Sequence, residues 1–139
     1  MNIDAEDLVC FIYQQVNKLT TSLTVNNFEK DVIDEVSNVM PDLLIQFLLE
    51  DHELYRVRRT ALDMQTNILC ANLDFVRFLW VNATNMPAEE KKEKVNEALR
   101  SLRLSAIKKA VHNHEKKMQE SLTVVFDHAT APSKSKMKM

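Results

Sequence analysis

Residues 41–81 read PDLLIQFLLEDHELYRVRRTALDMQTNILCANLDFVRFLWV, and the apolar spacing of this stretch decides the fold. Phe47, Leu54, Ala61, Ile68 and Phe75 recur every seventh residue. Leu43, Val57, Met64, Ala71 and Phe78 stand three positions further on, with Glu50 alone interrupting that second row. Two apolar rows at heptad spacing lie along one narrow side of a helix, the pattern of a coiled coil or of a helix in a bundle core. The pattern predicts one long helix from Pro41 to Val81. Its middle, Glu50 to Arg59, is polar outside the rows, whereas the ends, LLIQFLL and ILCANLDFVRFLWV, are apolar nearly all round. A helix apolar on every face must be covered on every face, so both ends require more surface than a two-stranded coil supplies.

The flanking segments read as shorter helices packed on this one. Asp4 suits an N-cap, with Glu6 and Asp7 in the first turn where the helix dipole favours negative charge. Ala5, Val9, Ile12, Val16 and Leu19 then make one stripe, predicting a first helix over Asp4 to Leu19. Thr20-Thr21-Ser22 reads as a loop. Asn26 followed by Glu29 reads as a capping box for a second helix carrying Val32, Ile33, Val36 and Met40. Pro41 either kinks or breaks that helix, and because Ile33, Val36, Met40 and Leu43 keep one register through it, the kinked continuous helix is favoured. Asn82 to Met86 is the clearest loop, and Pro87 with Glu89 and Glu90 opens a last helix that continues to about Phe126. Its stripe drifts, from Val95, Leu99, Leu102 and Ala106 to Ile107, Val111, Met118, Leu122 and Val125, so the two halves face different neighbours. From Asp127 the periodicity ends.

The expected fold is therefore all-α: an elongated helical hairpin of two long antiparallel helices, with one or two shorter N-terminal helices. Residues 1–126 form a single helical domain and residues 127–139 a disordered basic tail. A helix from Pro41 to Val81 would be ~60 Å long, against a radius of gyration of ~14 Å for a compact domain of this size. Such a hairpin leaves seam that one short helix cannot cover.

Composition narrows the function. The 139 residues include no glycine, which counts against phosphate-cradling loops, dinucleotide sites and tight hairpins. Turns must use Asn, Thr and Pro instead. Cys10 and Cys70 each lie in an apolar helical pattern and are expected to be reduced, buried and inert, as in the cytosol or nucleus. The start, MNIDAEDL, has no basic segment of a secretory signal, and no apolar run reaches the ~18 residues of a membrane span. These features place the protein inside the cell, in the cytoplasm rather than the nucleus. Residues 1–40 hold seven acids and two bases, and residues 87–139 seven acids and twelve bases. Complementary contact between the two ends is the simplest reading.

No catalytic, cofactor-binding or metal-ligating residues are assigned. His112 and His114 fall on different helix faces; Glu115, three after His112, gives a single ligand pair. The reading is a non-catalytic subunit or adaptor that meets protein partners, as a hetero-oligomer or a homodimer, through Phe47, Leu54, Ile68, Phe75, Phe78, Leu79 and Trp80. The alternative is a compact bundle binding nucleic acid through the lysines and arginines of the last helix and tail. Glutamates interleave with those bases, and no aromatic residue stands between Trp80 and Phe126 to stack on a base.

No motif identifies a family. Val36-Ser-Asn-Val-Met-Pro41-Asp42-Leu43 resembles a proline-interrupted helix in a subunit of the BLOC-one-related lysosomal complex. The overall pattern is similar to small coiled-coil subunits of kinetochore, tethering and lysosome-positioning scaffolds. The resemblance implies a role in assembly without a cofactor, and brings no site residues with it.

Overall fold

The computed structural model describes residues 3–130, with side chains described as far as residue 121. The described residues form helices and no strand: α1 (Ala5–Val25), α2 (Lys30–Leu49), a single 3-10 turn (His52–Leu54), α3 (Tyr55–Asn82), α4 (Ala88–Ser101) and α5 (Leu104–Thr130). The protein is an all-α helical bundle. None of these helices is long and apolar enough to cross a membrane.

Local chemistry explains most helix ends. Asp4 caps α1 as its sequence context predicts, its carboxylate accepting from the backbone N–H groups of Glu6 and Asp7. At the other end α1 passes through Thr20-Thr21-Ser22 instead of stopping at Leu19. The hydroxyls of Thr20 and Thr24 donate to the carbonyls of Asn17 and Thr20, which lets them sit inside a helix. Asn26 and Asn27 close α1 rather than open α2. Asn27 adopts φ 59, Asn27 N–H donates to Thr24 O and Phe28 N–H donates to Leu23 O, a Schellman arrangement with asparagine in the place of glycine. The capping box expected at Asn26 is therefore absent, and α2 begins at Lys30 with Glu29 as an N-cap that makes no side-chain cap.

Pro41 lies buried inside a continuous α2, as the unbroken register suggests. The break comes ten residues later. Asp51 takes an extended backbone, φ −142 and ψ 106, and its side chain accepts from Glu53 N–H to start the 3-10 turn. Aspartate competes well for this role because its short carboxylate satisfies a free amide. The predicted helix over 41–81 is thus divided between α2 and α3. The predicted helix over 87–126 is divided as well: Ser101 Oγ donates to Ala98 O, and Leu102 and Arg103 make i to i−3 bonds, before α5 starts at Leu104. This break falls at Leu102 and Arg103, a few residues ahead of the change of stripe between Ala106 and Ile107. The pair of unbroken long helices is replaced by shorter ones, and α5 extends past Phe126 to Thr130. The tail expectation for residues 131–139 lies outside the described residues.

The helices pack around one core containing Leu8, Ile12, Leu19, Leu23, Leu44, Phe47, Leu62, Leu73, Ile107 and Val111. Asp7–Arg59, Gln15–Asp63 and Ser22–Asp74 contacts rise together in number, so α1 and α3 run in the same direction. Lys91 contacts Trp80 and Glu115 contacts Arg58, so α4 and α5 run the opposite way along α3. α2 folds back along α1 after the Asn26–Asn27 turn. Among the described residues no ion pair joins residues 1–40 to 87–121; the bundle is instead tied through α3 and the end of α2.

Candidate functional site

α3 carries two apolar stripes. Leu62, Thr66, Leu69, Leu73 and Val76 point into the core. Met64, Ile68, Ala71, Phe75 and Phe78 point to the surface, at fractional exposures of 43% for Met64, 42% for Ile68, 58% for Phe75 and 59% for Phe78. At about 100° per residue the centres of the two stripes are roughly 150° apart. The outer stripe is the C-terminal half of both heptad rows read from the sequence. It is bordered by Thr60, Asn67, Asn72 and Asp74, a rim with one charge.

The seven residues proposed for partner contact do not form one surface. Phe47 is wholly buried, with the His112 ring edge-on at 5.4 Å and the Arg58 guanidinium 4.8 Å from its ring centre. It belongs to the protein's own core because the break at Asp51 takes the first part of each heptad row out of phase with the rest. Leu54 and Leu79 are half-buried. Ile68, Phe75 and Phe78 share the outer stripe. Trp80 is exposed but turned elsewhere: it lines a cleft of ≈ 480 Å³ with Asn26, Phe28, Glu29, Arg77 and Asn96, and the Lys91 ammonium lies 5.6 Å from its ring. Met64 and Ala71 complete the stripe and were missing from the predicted set, although they stand in the same heptad rows.

A second feature, not anticipated from sequence, is a polar corner where α2, α3 and α5 meet. Arg58 Nε donates to Glu115 Oε2 at 3.0 Å, and both side chains are 8% exposed. Arg58 Nη1 also donates to Phe47 O at 3.3 Å, holding a carbonyl at the C-terminal end of α2. His112 Nδ1 contacts the other oxygen of Glu115, and Lys108 pairs with Glu50 at 3.3 Å. The one ligand-like pair in the sequence, His112 and Glu115, thus meets an arginine. Among the described residues no group of three histidines, cysteines or carboxylates is placed to hold a metal ion.

α1 and α3 are joined by a polar seam. Asp63 Oδ1 accepts from Lys18 at 3.1 Å and from Gln15 at 3.0 Å; the Lys18 hydrogen bond, helped by Gln15, holds the carboxyl below the usual aspartate range. The hydrogen bond to Asp7 raises the Arg59 guanidinium. Cys70 is half-buried with its Sγ 3.5 Å from Lys18 O, and burial pushes its thiol up, as does nearby Asp74. Cys10 is exposed, contrary to the expectation that both cysteines are buried. Of the bases considered for nucleic acid, Arg100 pairs with Glu93, Lys108 with Glu50, and Lys91 donates to Trp80 O.

No family model, curated protein or solved structure matches this chain, so the resemblance at residues 36–43 stands on those eight residues alone.

Proposed function

We propose that this protein is a non-catalytic helical subunit or adaptor, whose work is to assemble with protein through the outer heptad face of α3. The observation that carries this reading is the exposure of Met64, Ile68, Phe75 and Phe78 along one side of a helix whose other side already fills the core. Five apolar residues at 4-3-4-3 spacing make a continuous helical docking strip, whereas scattered exposed hydrophobics would have no such order. Large aromatics in such a strip are the residue types that anchor interfaces.

Phe75→Asp and Phe78→Asp test it. Because both side chains are exposed, each variant keeps the native helical circular dichroism and melts within a few degrees of the native protein. The particle recovered from cells under gentle conditions nevertheless shrinks to the mass of the single chain. An unchanged particle mass for both variants overturns the reading, as does a native particle that is already one chain.

A further inference from the structure

We infer that the occupant of the outer α3 face is a second copy of this chain, packed antiparallel, an inference that rests on the assembly reading above. The order of the stripe supports this. In an antiparallel heptad pairing the residues of one row face those of the other. Turning a copy about a two-fold axis between Leu69 and Cys70 sets Met64 against Phe75 of the copy and Ile68 against Ala71 of the copy, with each pair repeated by symmetry. These layers each join a larger side chain to a complementary one, sulfur against ring and branched chain against methyl, while Phe78 falls opposite the buried Ala61 of the copy and lies outside the paired layers. A parallel pairing would stack Phe75 on Phe75 and Ala71 on Ala71, leaving a gap between two overfilled layers.

The rim selects the same arrangement. Asn67 faces Asp74 of the copy, an amide donor opposite a carboxylate that also accepts from Asn26 and Ser22 of its own chain, so no like charges meet. The neighbouring antiparallel register, one heptad along, would oppose Asp74 to its own counterpart across the axis and is disfavoured.

Area sets the strength. A phenylalanine buries at least ~150 Å², so Phe75, more than half exposed, offers on the order of 100 Å², and the four paired residues together on the order of 300 Å². Two copies with their rims bury on the order of 800 Å², the size of a weak, reversible contact; area alone does not set its Kd.

Sedimentation velocity of the purified full chain, from about 1 to 300 μM, is the first arm. The second uses Cys10→Ser/Cys70→Ser protein carrying either Met64→Cys or Phe75→Cys, oxidised separately and as an equimolar mixture. Expected are a monomer–dimer equilibrium, weakened at least roughly tenfold by Ile68→Asp, and a disulfide dimer that forms much faster in the mixture than in either variant alone. A chain that stays monomeric over the whole range overturns the inference, and so does equal or faster cross-linking of one variant with itself. If the purified chain is monomeric while its cellular particle is larger and dissolves with Phe75→Asp, the self-pairing fails and the adaptor reading stands. A cellular particle of one chain removes both.

Discussion

Arg58 and Glu115 are fifty-seven residues apart in sequence and form a buried ion pair at 3.0 Å that fastens α3 to α5. The same guanidinium reaches Phe47 O at the end of α2, so one side chain joins three helices. Removing Arg58 leaves the buried Glu115 carboxylate with only its His112 contact, which costs more than the pair contributes. Arg58→Met is expected to lower the unfolding free energy by about 3 kcal/mol. Replacing both, Arg58→Met with Glu115→Leu, recovers most of that loss, leaving about 1 kcal/mol for the carbonyl of Phe47. Urea denaturation of the four-member cycle checks this; losses that simply add would contradict the pairing.

Asp63 links stability to pH. Its folded carboxyl is held below the ordinary value near ~4 by the hydrogen bond from Lys18. A lowered value means that the stabilisation is present at neutral pH and is lost as pH falls through the folded value. Asp63→Asn should therefore melt lower than native protein at pH 7, by an amount in keeping with a half-exposed pair, a few tenths of a kcal/mol to ~1. The gap should close as pH falls through the carboxyl's lowered value. A gap that persists in acid would mean the effect is not electrostatic.

Pro41 stands inside α2 and cannot donate to Ser37 O, the bond a residue at that place would make. Pro41→Ala restores the donor and removes the ring's clash, against the loss of some buried ring surface. The expected gain is about 1–2 kcal/mol, read from the urea midpoint. A loss would mean that the ring's packing outweighs the helix.

Asn27, at φ 59, fills the left-handed position that ends α1 in a chain without glycine. Asn27→Gly should stabilise by about 0.5 kcal/mol and Asn27→Val should destabilise by about 1–2, since a branched Cβ is strained there. Thermal melts of the two variants should move in opposite directions.

Much of this architecture is written in local residues. Asp4 as a cap, the Asn82–Pro87 loop and the continuity through Pro41 all follow from short-range chemistry. The change of stripe between Ala106 and Ile107 lies a few residues past the second helix break and reads in the sequence as a change of neighbour, without a break. The break at Asp51 was not legible, because its polar residues suit a solvated helix side as well as a turn. What settles it is long-range: Arg58 folding back on Phe47 O and reaching Glu115, contacts that no periodicity records. The outer α3 stripe was legible as a heptad. Which members face outward was not: Ala61 lies past the restart in the row of Ile68 and Phe75 and is nevertheless buried, because exposure depends on which helices pack along each part of α3.

The most direct measurement of the central claim is photo-cross-linking in intact cells, with a photoreactive phenylalanine analogue at Phe78 and, as a control, at Lys109, exposed on α5. The assembly account predicts a discrete protein adduct at position 78 and none of comparable yield at position 109. Equal labelling at both positions, or none at position 78, would contradict it.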